Sequence, residues 1–259
     1  VSAPALSTRG LAKKFGSLVV ASDIEIELPQ GVRYALIGPN GAGKTTLINL
    51  ITGMLRPDAG RILLDDADIT MLPPDQRVRR GLVRTYQINS LFPHLTALES
   101  VTLVVCERTR AARIWWRQLP AYQHEIDEAY DILSELALAA VCHRLTRELA
   151  YGQQRLLEIA LALATRPKVL LLDEPAAGVP REESKELFAA IAGLSGDITV
   201  LFIEHDMELV FRFATRVIVM VGGRVLVEGT PHEIASNPQV RAVYLGKATG
   251  KAMQEPRHG

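Results

Sequence analysis

Residues 38–46 read GPNGAGKTT, and Gly38, Gly43, Lys44 and Thr45 satisfy the spacing G-x-x-x-x-G-K-[ST] of a phosphate-binding loop. Phosphate capture is the chemistry this spacing supports. Glycines at 38, 41 and 43 let successive backbone N–H groups turn inward on phosphate oxygens, and a following helix N-terminus adds partial positive charge. Lys44 supplies a point charge for the β- and γ-phosphates, and the Thr45 hydroxyl can ligate Mg²⁺. A second cluster closes the run Val169-Leu170-Leu171-Leu172-Asp173-Glu174, an apolar strand ending in two acids. A buried strand has no structural use for adjacent carboxylates at its C-terminal edge, where open α/β sheets place ligands. Asp173 is suited to hold Mg²⁺, and Glu174 to polarise an attacking water as a general base. The chain is expected to bind a nucleoside triphosphate.

These groups need elements to position them. Tyr34-Ala35-Leu36-Ile37 reads as a short apolar strand entering the loop, and Leu47-Ile48-Asn49-Leu50-Ile51 as a helix leaving it. Ile24, Ile26 and Leu28 alternate with Glu25 and Glu27, which predicts a strand with one wet face. A turn at 57–60 leads into a short strand at 61–64. From about residue 88 to 149 the pattern turns helical, with Ile126, Tyr130, Leu133, Leu136 and Ala137 at helical spacing; this block is a candidate inserted subdomain. The continuous apolar runs 169–172 and 199–203 predict strands buried on both faces, as in a parallel sheet covered by helices. Residues 217–221 and 224–227, joined by Gly222-Gly223, predict a β-hairpin. The polar, small-residue stretch from about Lys247 is expected to fray.

Composition narrows the class. With 259 residues, 48% apolar and 22% charged, the chain is ordinary for a globular protein of one or two domains. Its 29 acidic and 29 basic side chains balance, which disfavours nucleic acid as a partner. No apolar run approaches the ~20 residues of a membrane span, and no signal peptide is expected, so the chain is read as cytosolic. Cys106 and Cys142 are expected to be reduced thiols; His94, His124, His143 and His232 lack metal-ligand spacing. The stretch ERTRAARIWW at 107–116 fits either a charged helix packing its tryptophans inward or a membrane-proximal amphipathic surface.

Leu149-Ala150-Tyr151-Gly152-Gln153 precedes the acid-ended strand and opens an expected helix at 153–165. Together with Gln87 in Thr85-Tyr86-Gln87, the stretch Glu174-Pro175-Ala176-Ala177-Gly178, His205 in Ile203-Glu204-His205-Asp206, and Phe15 in Lys13-Lys14-Phe15-Gly16, the chain resembles the ATPase cassettes of ABC transporters. The resemblance spans essentially residues 5–245. It implies an α/β fold: a P-loop NTPase cassette with a mixed-sheet core, an N-terminal antiparallel β subdomain and an inserted helical subdomain. The core would be 1–87 and 151–246, the helical subdomain 88–150, and 247–259 a flexible tail. It implies that ATP and Mg²⁺ are the bound species. Phe15 would stack on adenine, while Gly38, Pro39, Asn40, Gly41, Ala42, Gly43, Lys44, Thr45 and Thr46 hold the phosphates. Thr45, Gln87 and Asp173 would serve the metal. Glu174, His205, Gln87 and Lys44 would act in hydrolysis, His205 as a switch residue reaching the γ-phosphate. Ala150, Tyr151, Gly152 and Gln153 would close the nucleotide site of a second ATPase subunit, identical or different. Permease subunits at the inner face of the cell membrane would be the direct partners, with a periplasmic solute-binding protein acting indirectly.

The chain departs from the usual signature L-S-G-G-Q at two positions. Ala150 removes a hydroxyl, and Tyr151 replaces the first glycine. A lost neutral hydrogen bond is worth about 1 kcal/mol, too little to abolish turnover. Val179 stands where aspartate is common in the following loop. The L-A-Y-G form, with Arg84-Thr85-Tyr86-Gln87 and Val243-Tyr244-Leu245-Gly246, is similar to the branched-chain amino-acid uptake subfamily. Other cargo on the same cassette (urea or amides, organic acids, lipopolysaccharide export) and a non-catalytic regulatory cassette are the alternatives.

Overall fold

The computed structural model describes residues 3–85, 91–111 and 122–251. Strands β1 (Leu6–Phe15) and β2 (Leu18–Leu28) pair antiparallel, and β3 (Arg33–Ile37) then runs into the glycine-rich loop and helix α1 (Lys44–Thr52). Next come β4 (Ala59–Leu64), β5 (Ala67–Asp68), helix α2 (Pro74–Arg79) and β6 (Leu82–Arg84). Helices α3 (Ala97–Thr109), α4 (Gln123–Glu135) and α5 (Tyr151–Ala164) follow. The chain then alternates: β7 (Val169–Asp173), α6 (Arg181–Gly193), β8 (Thr199–Ile203), α7 (Met207–Phe213). Strands β9 (Arg216–Val221) and β10 (Arg224–Gly229) precede α8 (Pro231–Ser236) and α9 (Pro238–Lys251). Helix α9 thus passes Lys247, where composition predicts fraying.

Two sheets form. One is antiparallel, in the order β2-β1-β4-β5; the other has the order β10-β9-β3-β8-β7-β6, parallel throughout except where β10 meets β9. The central strands face two separate apolar cores by strict alternation. Ala35, Ile37, Leu170, Leu172, Val200, Phe202, Val217 and Val219 point to the side covered by α3 to α7. Tyr34, Leu36, Leu171, Leu201, Ile203, Ile218 and Met220 point to the side holding α1 and the antiparallel sheet. With both faces dry, every position must be apolar, which explains the uninterrupted runs.

In the helical part, Thr96 and Glu99 form a reciprocal capping box that starts α3. The buried stripe of α4 runs through Ala129 and Leu133 and on to Leu136, whereas Tyr130 is exposed. Cys106 and Cys142 are buried free thiols. Residues 112–116 of the Arg/Trp stretch lie outside the described residues. Among the described residues no helix is long and apolar enough to cross a membrane.

Arg77 on α2 fixes the far end of the helix that carries Lys44. Its side chain is 2% exposed. The guanidinium donates to the carbonyls of Leu50 (2.8 Å) and Ile51 in the last turn of α1, and of Leu72 (2.9 Å) and Thr70 (2.7 Å). Burial pushes its pKa down to about 10, opposed by Asp68. The cation sits at the negative end of the α1 dipole, which favours it there. Arg77→Met should lower unfolding stability by about 3 kcal/mol in urea titrations, because four carbonyls, two of them in buried bonds, lose the guanidinium donor. A change under about 1 kcal/mol would show that water replaces the guanidinium.

Candidate functional site

The loop between β3 and α1 depends on glycine at two places. A Cβ on Gly38 would sit 2.2 Å from the Met220 carbonyl oxygen, and one on Gly43, at φ +98°, 2.6 Å from that of Val20. The β9–β10 hairpin braces the loop from outside. Gly222 and Gly223 both take positive φ, as a two-residue hairpin turn requires. The Gly223 N–H donates to Ala42 O (2.9 Å), and Ser22 N–H donates to Gly223 O (2.8 Å). Helix α1 begins after Gly43 with no side-chain cap and no acid in its first turn, so its N-terminus suits an anion. Lys44 is buried, with Nζ donating to the carbonyls of Gly38 (2.7 Å) and Pro39 (3.2 Å); Thr45 is exposed. Lysine, helix N-terminus and exposed hydroxyl form a donor set that fits polyphosphate, and the Thr45 and Asp173 oxygens are hard ligands of the kind Mg²⁺ prefers.

Parallel pairing brings the acids beside this loop. The register sets Asp173 opposite Ile203 on β8, and Ile203 opposite Leu36 on β3. Asp173 Oδ2 is paired with Arg84 Nη2 at 2.6 Å, and Arg84 Nη1 donates to Asn49 Oδ1 on α1 at 2.8 Å. Glu174 has φ +50°, a left-handed conformation unfavourable for a side chain of this size. That turn sends its carboxylate toward β8, where Oε1 lies 2.7 Å from His205 Nε2. Glu204 stands one residue before His205 and is 6% exposed. It accepts the N–H of Ala176 (2.9 Å) and of His205 (3.2 Å). Burial raises its pKa, and the two backbone donors pull the other way. A cleft of about 550 Å³ opens here, lined by Glu174, Ala177, Val179, Lys185, His205 and Asp206.

Helix α5 starts at Tyr151, two residues before the expected 153, so the 149–153 stretch runs into its first turn, and it is held within its own chain. Gln153 Oε1 accepts the Ala150 N–H (3.1 Å), and Glu183 Oε2 accepts the Gly152 N–H (3.2 Å). Tyr151 Oη donates to Ala177 O at 3.2 Å. Phe15 is 52% exposed, with Lys13 Nζ 5.7 Å from its ring centroid, so it is a surface aromatic and not part of the core. Gln87 lies outside the described residues.

Several participants were not assigned roles from sequence. Arg84, Asn49, Arg155 and Glu183 are such cases, and so is Tyr244 of α9. Burial raises the Tyr244 phenol pKa while a hydrogen bond from the Gly38 backbone lowers it. Glu204 had a readable signal, since it is an acid directly after a four-residue apolar run, like Asp173. Arg155 and Glu158 also had one, as an i,i+3 charge pair on an otherwise apolar helix face. Nothing local marks Asn49, and Tyr244 stood out only within the subfamily stretch 243–246.

Residues 21–177 match the family model described as ABC transporter, and residues 224–249 that of the branched-chain amino acid ATP-binding cassette transporter. The chain is 40% identical over 257 residues to the high-affinity branched-chain amino acid transport ATP-binding protein BraF of Pseudomonas aeruginosa, covering 96% of this chain and 100% of that one. It is 41% identical over 256 residues to LivG of Escherichia coli K12, with the same name otherwise and the same coverage. Among solved structures, the ADP conformation of an ATP-binding cassette of an ABC transporter superposes with a TM-score of 0.82 at 32% identity. That match covers 94% of this chain and 99% of the other.

Proposed function

The chain belongs to the ABC transporter family of ATP-binding cassettes, and from that premise we propose that it hydrolyses ATP to drive solute uptake through a membrane permease. The observation that carries the reading is the 2.7 Å contact of Glu174 with His205, held at the strand ends beside the phosphate-binding loop. In this mechanism the 38–46 loop and the α1 N-terminus hold the triphosphate, with Lys44 leaving its loop carbonyls for the β- and γ-phosphate oxygens. Glu174 accepts the proton of the attacking water. His205 orients that carboxylate and donates toward the γ-phosphate. Phe15 is exposed where an adenine could stack on it. Thr45, Asp173 and Gln87 would hold Mg²⁺, which would supply charge neutralisation to the triphosphate.

Branched-chain amino acids or related small solutes are the cargo this reading favours. It is supported by the match over 224–249 and by the names of the BraF and LivG relatives. Two cassettes, identical or different, pair head to tail, so that residues 150–153 of one face the phosphate loop of the other. The 88–150 segment and Gln87 receive the permease, with 1–87 and 151–246 as the nucleotide-binding core. The cassette works at the cytoplasmic face of the membrane, and a periplasmic binding protein presents the solute.

Two substitutions test this. Glu174→Gln should leave ATP binding intact while lowering turnover by about 100-fold or more in the complex with permease subunits. Wild-type turnover in that variant would remove Glu174 from the mechanism. Lys44→Ala should weaken ATP affinity by about tenfold or more in fluorescent-nucleotide titrations. Unchanged affinity would count against phosphate binding by the loop.

A further inference from the structure

Tyr151 occupies the position where the family's signature more often has glycine, and its hydroxyl has found a specific acceptor. Tyr151 Oη and Arg155 Nη2 both donate to the carbonyl of Ala177, at 3.2 and 3.4 Å. Arg155 Nη2 also donates to Tyr151 Oη at 3.1 Å, and the guanidinium carbon lies 5.3 Å from the centre of the tyrosine ring. The cation is in turn held by Glu158 on the same helix, at 3.0 Å, in a pair with side chains 10% and 7% exposed. Burying such a pair adds little net stability, so its value lies in what it holds in place.

What it holds is the segment just after the reactive carboxylate. The Ala177 N–H donates to Glu174 O (3.0 Å), and the preceding Ala176 N–H donates to Glu204 (2.9 Å), which also accepts the His205 N–H. Ala176 and Ala177 are therefore gripped from two sides. Tyr151 and Arg155 pull on one carbonyl from the start of α5, and Glu204 grips one N–H from the end of β8. A short covalent and hydrogen-bonded route joins the first turn of α5 to both members of the Glu174–His205 pair. Gly178, at φ +77°, lets the tyrosine come this close, since a Cβ there would lie 3.2 Å from Tyr151 Oη.

We infer that Tyr151 and Arg155 are positioning residues, which set the Glu174–His205 geometry according to where the first turn of α5 sits. They carry this link in a chain whose residue 179 is valine. The inference rests on the ATPase reading for its consequence, and on hydrogen bonding alone for its existence. Tyr151→Phe removes one hydroxyl and keeps the ring over Arg155, while Tyr151→Gly restores the family's commoner residue.

In the complete transporter, both variants should lower saturated ATP turnover by about fivefold or more, with KM for ATP within about twofold of wild type. Loss of turnover on restoring glycine is the result that a merely tolerated tyrosine does not give. Turnover within about twofold in both variants overturns the inference. In the isolated full-length chain, without nucleotide, Tyr151→Phe should also speed amide hydrogen exchange at Ala177 and Val179, whose N–H groups bond within this segment. Unchanged exchange there overturns the tie whatever the ATPase assay reads. A wild-type complex that fails to hydrolyse ATP sinks the ATPase reading instead, and the exchange result still judges the tie.

Discussion

Burial of both faces of the central sheet is the constraint on which the rest depends. Strands β3, β7, β8 and β9 each send alternate residues into one of two apolar cores, leaving no dry position for a charge along their length. Polar chemistry is therefore confined to the strand ends. Because β3, β8 and β7 are parallel neighbours, their C-terminal ends lie side by side. The phosphate loop, Glu204 with His205, and Asp173 with Glu174 leave the sheet at one edge for that reason.

At that edge each polar group has to be met as it leaves the core. Glu174 takes an unfavourable backbone conformation and faces His205 in return. Glu204, nearly fully buried, is held by two backbone N–H groups. Arg84 ties Asp173 to Asn49 and so joins β6 and β7 to the phosphate-loop helix. These contacts cross between elements far apart in sequence, and a change at one is felt at its neighbours. The site is best understood as one network with three entrances: the phosphate loop, the acid-ended strand and the first turn of α5.

The functional assignment inherits this layout. Family membership is carried by near-full-length similarity, and the strand-edge geometry gathers that family's motifs at one place. The cargo reading rests on the names of relatives and on the C-terminal match. The cleft beside Glu174 and His205 is lined by residues from the ends of β7 and β8 and from α6 and α7. The Tyr151–Ala177 contact joins the first turn of α5 to the segment that follows Glu174 within one chain.

Periodicity and punctuation in the sequence were enough for most of the elements. Continuous apolar runs marked β7 and β8, a Gly-Gly pair marked the β9–β10 hairpin, and the glycine and lysine spacing marked the phosphate loop. Those signals are local, since they depend on backbone conformation and on burial of both strand faces. The α4 pattern located a helix and, at Leu133 and Leu136, part of its buried stripe; Tyr130 fits the spacing yet lies outside, because packing against α3 and α5 buries Ala129 instead. Residue types likewise nominated Asp173 and Glu174, and the family resemblance nominated His205. Only the fold decided that Arg84 would pair with Asp173, that Glu183 would take the Gly152 N–H, and that Tyr151 would reach Ala177. Sequence fixes which groups can donate or accept. Which donor meets which acceptor is set by strand register and helix packing, and these bring together residues that no local pattern connects.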